Sequence, residues 1–219
     1  MWACACSPRS PRSPNCTTCR VRWRVRSKSQ RTGAIGLIIP NHTNPYFLEV
    51  ARGIEDRCYR AGYSVILCNF GDDAARRRNY LNVLLGKRCD GLIMAALEPA
   101  DGELLQTKKI PVLLLDRAPR GQSFDVVDVD NVAGGALAVQ HLLALGRRRI
   151  ACIGGPAEIA LSRLRSDGVR EMLAGAGLSL APALCRHADF ASMGGYQQAR
   201  ALLALPAVQR PDAIFAATT

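Results

Sequence analysis

The chain has 219 residues, 48% of them hydrophobic and 21% charged, ordinary values for a soluble protein with room for one large or two small cores. Its net charge of +11 is uneven: Arg9, Arg12, Arg20, Arg22, Arg24, Arg26, Lys28 and Arg31 stand in the first 32 residues with no carboxylate, leaving 21 basic against 18 acidic residues in the rest. The near-neutral body argues against a nucleic-acid patch on its folded surface. The absence of an 18-residue apolar run or an apolar leader core makes the cytoplasm the expected compartment.

From Gly33 onward, strand and helix signals alternate. "AIGLII" (34–39) is a short, continuously apolar run, the mark of a strand covered on both faces. After the turn-rich "PNHTNP", Phe47, Val50, Ala51, Ile54, Cys58 and Ala61 recur at spacings of three and four. That spacing predicts an amphipathic helix, opened by Asn44 and Pro45 and stopped by Gly62. A strand over 63–69 and a helix over 72–88, capped by Asp72 or Asp73, follow. "DGLIMA" (90–95), a short helical piece, "PVLLLD" (111–116) and "DVVDV" (125–129) complete the first run.

After Asp130 the pattern restarts. Val132, Ala136, Val139 and Leu143 line one helix face, Gly146 ends it, and a strand follows over 149–155. A helix near 159–176, a strand near 184–188, a helix near 194–205 and a strand over 212–218 close the chain. Apolar strands alternating with helices imply an α/β fold with parallel sheets covered on both faces. Two such runs predict two Rossmann-like lobes, 33–129 and 130–219, behind a basic Cys/Pro/Arg-rich tail, 1–32. The body cysteines Cys58, Cys68, Cys89, Cys152 and Cys185 are spread singly among mostly apolar neighbours and are expected to be small buried hydrophobes in a reducing compartment.

No residues suggest catalysis: paired carboxylates, a nucleophile elbow and a phosphate loop are all lacking, and "GGP" at 154–156 is a turn. His42, His141 and His187 lack ligand-like spacing. The expectation is a non-enzyme without a cofactor.

The segments "TGAIGLIIPNHTNPYFLEVARGIEDRCYRAGYSVILCNF", "RCDGLIM", "IPVLLLDR", "VDVDNVAGGALAVQHLLALGRRRIACIGGP" and "RLRSDGVREML" occur in order, and their set resembles the effector domain of the lactose/galactose repressor (LacI/GalR) family, especially ribose and purine repressors. The resemblance implies a periplasmic-binding-protein-like type I fold and a small ligand bound between two lobes at strand carboxyl ends. Carried over position by position, it implies ligand contacts from Asn44, Tyr46 and Phe47 on the "NPYF" loop, from Asp116 and Arg117, and from Arg165 and Phe190. Asp130, at the first crossover, is a further polar candidate. Aromatic faces suit the C–H face of a sugar ring, while amide, carboxylate and guanidinium groups suit its hydroxyls. Taken singly, these residues have plainer readings: Tyr46, Phe47 and Phe190 as core, Asp116 as a turn cap, Arg165 as a solvated helix charge. Their origin in four loops that match one site favours ligand binding.

On this resemblance the chain is the sensor of a ligand-responsive transcriptional repressor, with a monosaccharide such as a pentose favoured over a purine. A complete relative is expected to be a homodimer on operator DNA. A sugar-binding protein of transport or chemosensing is the alternative. The family pattern is departed from at both ends. Three prolines in "SPRSPRSPN" and the period-two "RVRWRVR" exclude a helix-turn-helix over 1–32, and "DAIFAATT" ends where relatives continue. The chain is therefore expected to be truncated, with uncovered apolar surface and poor stability. Cys4, Cys6, Cys16 and Cys19 could offer four thiolates to zinc, but the CxC pair and the short proline-broken loop argue against it. The basic tail could bind nucleic acid non-specifically, be a disordered tail without a role, or mark an upstream reading-frame error.

Overall fold

The computed structural model describes residues 31–96, 98–117, 124–190 and 192–217. The readings made for residues 1–30, including zinc, nucleic-acid binding and the frame error, lie outside the described residues. The chain divides into two compact units between Val129 and Asp130.

Unit 1 runs β1 (Ala34–Ile39), α1 (Pro45–Arg60), β2 (Ser64–Asn69), α2 (Ala74–Gly86), β3 (Gly91–Ala96), α3 (Pro99–Lys108), β4 (Val112–Arg117) and β5 (Asp125–Val127). The strands are all parallel, in the order β2-β1-β3-β4-β5. Side chains alternate across the central strands and so build two cores. Ile35, Leu37, Ile39, Ile93 and Leu115 pack with Phe47 and Ala51 of α1. Ile38, Leu92, Met94 and Leu114 pack with Leu81 and Leu84 of α2 and Leu105 of α3. This double coverage explains why the strands read as unbroken apolar runs instead of alternating ones.

Local chemistry sets the helix ends. The Asn44 side chain accepts from the Tyr46 N–H (2.9 Å) with Pro45 in the first turn, and Asp73 accepts from the Ala75 and Arg76 N–H groups at 2.8 and 3.0 Å. Two backbone hydrogen bonds in that first turn hold the exposed Asp73 carboxyl below its ordinary range: the bond from Arg76 contributes most, followed by that from Ala75, with the Arg76 charge adding to them. Inside α2, Arg77 is 6% exposed and ion-paired to Asp101 (3.1 Å) and Glu98 (2.6 Å) of the α3 region, while Arg78 reaches Asp101 at 2.6 Å. Burial opposes the Arg77 charge, but hydrogen bonds to Glu98 and Asp101 more than offset it and hold its pKa above the usual arginine range.

Unit 2 runs α4 (Asn131–Ala144), β6 (Ile150–Gly154), α5 (Ala160–Gly175), β7 (Cys185–His187), α6 (Ser192–Leu203) and β8 (Ala213–Ala216). Its parallel sheet has the order β7-β6-β8. Val139 of α4 and Val169 and Leu173 of α5 cover one face of β6, and Leu202 of α6 covers the other. The helices α4 and α5 approach so closely that a Cβ on Gly135 would meet the Arg165 carbonyl oxygen, and one on Gly168 the Val132 carbonyl oxygen.

The two units repeat one device. Asp90, just before β3, accepts the Thr32 and Gly33 N–H groups at 3.2 and 3.0 Å ahead of β1. Asp212, just before β8, accepts the Arg148 and Arg149 N–H groups at 2.9 and 3.0 Å ahead of β6. Each carboxylate satisfies two backbone donors where the parallel ladder begins. Among the body cysteines, Cys68, Cys89 and Cys152 are buried as expected, whereas Cys58 and Cys185 are only partly covered.

Candidate ligand-binding site

Open parallel sheets bind ligands outside the carboxyl ends of their strands, at the point where the strand order reverses. In unit 1 the order reverses between β1 and β3, and the β1–α1 loop carrying Asn44 leaves from there. Asn44 is buried and holds the start of α1. Tyr46, half-buried in the first turn, meets Phe47 edge-to-face at a centroid distance of 5.0 Å. Phe47 is 4% exposed and belongs to the α1 core, so its ring buttresses the loop from beneath.

Asp116 and Arg117 end β4 on the same side of the sheet as the β1–α1 loop. Asp116 is buried and adopts a left-handed φ of +59°, beside a register shift between β3 and β4 at Met94 and Ala96. A left-handed non-glycine residue at a strand end costs on the order of 1 kcal/mol and persists only where its surroundings over-determine it. The irregularity turns this carboxylate away from the regular strand alternation at the sheet's carboxyl edge.

Unit 2 gathers its candidate groups around the end of β6. The Arg165 guanidinium, half-buried on α5, donates from Nε to Asn131 Oδ1 (2.8 Å) and from Nη1 to the Ala217 carbonyl oxygen (2.8 Å). Ala217 follows β8 and donates its own N–H to Ile153 of β6 at 2.8 Å, so the guanidinium is anchored at the carboxyl ends of adjacent strands. This fixed fork, with further N–H donors beyond the two engaged, suits neighbouring hydroxyls or a carboxylate or phosphate.

Phe190, half-buried beyond β7, lies over the backbone of Gly155: a Cβ there would sit 2.5 Å from Phe190 Cε1. The same Cβ would lie 2.6 Å from Ser162 Oγ, a buried hydroxyl with no hydrogen-bond partner among the described residues. His187 Nδ1 lies 3.0 Å from the Gly155 carbonyl oxygen and steadies the segment that leads to Phe190. Asp130 is exposed and caps α4, its carboxylate accepting from the Ala133 N–H at 2.9 Å. Its neighbour Asn131, 4% exposed, is the residue that meets Arg165. Sequence reasoning passed over Asn131 and Ser162, because a short polar side chain at a helix start reads first as a cap. The signal available in the sequence is a second short polar residue, Asn131, directly after the capping aspartate.

Among the described residues no group of three or more His, Cys, Asp or Glu side chains could hold a metal, and no helix is long and apolar enough to cross a membrane.

Comparison with known proteins agrees with the parallel α/β architecture. Residues 32–218 match the family described as periplasmic binding proteins and sugar binding domain of LacI family. The ribose operon repressor of Escherichia coli K12 is 36% identical over 191 residues, 86% of this chain and 57% of that protein. The transcriptional repressor PurR of Photobacterium profundum is 32% identical over 192 residues, again 86% of this chain and 57% of the relative. The crystal structure of the Cra regulator of Pseudomonas putida with fructose 1-phosphate superposes with a TM-score of 0.75 at 26% identity, over 85% of this chain and 69% of that one. The chain thus spans a little over half the length of the curated relatives it matches. With the parallel α/β units and this match over nearly all the described residues, the chain belongs to the family of periplasmic binding proteins and LacI-family sugar-binding domains.

Proposed function

We propose that the chain is the effector-sensing part of a ligand-responsive transcriptional repressor and that its effector is a monosaccharide, a pentose in the first instance. In this reading residues 33–129 and 130–219 are the two lobes of the sensor. Asn44, Tyr46, Asp116 and Arg117 of unit 1 contact the sugar, with Phe47 supporting them from the core. Arg165 and Phe190 of unit 2 supply the guanidinium and the aromatic face, and Asp130 contributes by holding α4. The observation that carries the proposal is the Arg165 fork, anchored by Asn131 and Ala217 at the strand ends with an aromatic ring and a buried hydroxyl nearby. The similarity to a ribose operon repressor supports a pentose, while the fructose 1-phosphate named for the Cra structure supports a phosphorylated sugar as the second ligand to try.

The complete protein would act in the cytoplasm as a homodimer on operator DNA, the sugar shifting operator affinity by favouring one of two conformations. Titration calorimetry with ribose, other pentoses, fructose 1-phosphate and a purine base tests the reading. Saturable heat with a pentose, weakened at least tenfold in Arg165→Ala, is expected. Binding of the purine alone, or pentose binding indifferent to Arg165→Ala, refutes it.

A further inference from the structure

The chemistry-bearing side chains of unit 2 that the ligand site does not use include two cysteines on neighbouring strands. Cys152 of β6 and Cys185 of β7 are direct partners in the parallel ladder. Neighbouring strands lie about 4.8 Å apart, inside the Cα range of roughly 4.4–6.8 Å that disulfides span. Paired residues of a parallel ladder point to the same face. Here that is the α5 face: Cys152 packs with Val169 and Leu173, and Cys185 Sγ lies 4.0 Å from Arg170 Nη2.

Their environments differ in a way that divides the labour. Cys152 is fully buried, and burial first, then the neighbouring Cys185, pushes its thiol up to about 11. Cys185 is partly covered, sits on the strand at one end of the order β7-β6-β8, and has a guanidinium beside its sulfur. An adjacent cation and partial access are what make a cysteine reactive, because the thiolate is the nucleophile. Arg170 also pairs with Asp167, one turn earlier on α5, at 2.9 Å.

We propose that Cys185 and Cys152 form a hydroperoxide-responsive thiol pair, with Cys185 oxidised first and Cys152 closing onto it as a disulfide between adjacent strands. The Cys185 thiolate attacks one peroxide oxygen, the O–O bond breaks, and a sulfenic acid and hydroxide form; with hydrogen peroxide the hydroxide takes up a proton to leave as water. Cys152 sulfur then attacks the Cys185 sulfur, its own proton passes to the departing hydroxyl, and a second water leaves. Two electrons move from the two sulfurs to the peroxide. Because β7 leads through His187 to Phe190, the bond ties that segment to β6.

The test uses the full chain, reduced and treated with limiting hydrogen peroxide, with remaining thiols blocked by N-ethylmaleimide before non-reducing tryptic mapping. Cleavage at Arg149, Arg163, Arg170 and Arg186 isolates the two cysteines in peptides 150–163 and 171–186. A cross-linked pair of these peptides, reversed by dithiothreitol and formed at least tenfold faster than oxidation at Cys68 or Cys89, is expected. Cys152→Ser should leave a Cys185 sulfenic acid that dimedone traps, Cys185→Ser should leave Cys152 reduced, and Arg170→Ala should slow the reaction several-fold. Oxidation of Cys68 or Cys89 at an equal rate, a Cys185 sulfinic acid without cross-link, or a cross-link from Cys185 to another cysteine overturns the proposal. The wild-type map decides between these outcomes even if a variant folds poorly.

Discussion

Gly134 and Gly135 are neighbours on α4 with opposite surroundings, and alanine at each should change stability in opposite directions. A Cβ at Gly134 meets nothing within 4 Å, so Gly134→Ala removes only the backbone freedom of glycine in a helix. That is worth about 0.5–1 kcal/mol of stabilisation. At Gly135 the added carbon meets the carbonyl oxygen of Arg165, which is backbone and cannot rotate aside. The helices must separate, opening the seam over Val139 and Val169, both fully buried. Overpacking of this kind costs about 1–3 kcal/mol, net of the propensity gain. The reciprocal contact between Gly168 and the Val132 carbonyl predicts a similar loss for Gly168→Ala. The two losses should be less than additive, since one displacement of α5 relieves both. Urea unfolding followed by circular dichroism measures the wild type, the three single variants and the Gly135→Ala/Gly168→Ala double variant. A Gly135→Ala midpoint equal to or above that of Gly134→Ala would show that the helices are not in close contact and refute the reasoning.

Other variants test the remaining physics. Arg77→Ala should cost about 3 kcal/mol, because it leaves the fully buried Asp101 with Arg78 alone, and the loss should persist in molar salt; Arg170→Ala, removing a half-exposed pair, should cost under about 1 kcal/mol. Cys152 titrates higher in the folded chain than in the unfolded one, so its contribution is complete below pH 9 and is lost as pH rises toward 11. Alkaline destabilisation over that window should therefore be smaller in Cys152→Ala than in the wild type, by roughly 2–3 kcal/mol, when urea midpoints are compared at pH 8 and 11. Asp73 titrates low when folded, so its capping contribution is present above pH 4 and lost as pH falls through the folded value. The deficit of Asp73→Ala in a urea series should thus narrow from pH 7 to pH 3, and a constant deficit would mean that the carboxylate charge plays no part.

Much of this protein is legible in the chain itself. Continuous apolar runs such as "AIGLII" and "RIACIGG" mark strands buried on both faces, and strands so buried require helices on either side; the helices of unit 1 and unit 2 fall within a few residues of the positions read from the periodicity. Asn44 and Asp73 act as the caps their residue types suggest, because capping is decided within one turn. The ligand candidates were legible only through resemblance, since an aromatic residue at a helix start or an arginine on a helix has no local signal of its role.

Tertiary structure decided what depends on partners distant in sequence. "ARRRN" reads as a run of helix charge, yet Arg77 is buried because Asp101 and Glu98, more than 20 residues away, compensate it. Arg165 is anchored by Asn131 and Ala217, 34 and 52 residues off, and no period links them. Cys152 and Cys185 are two scattered cysteines until the ladder of β6 and β7 makes them neighbours. Local propensity and periodicity are properties of a few adjacent residues and survive in the one-dimensional chain. Burial, ion pairing and strand register are sums over contacts that exist only once the sheet has closed those long loops.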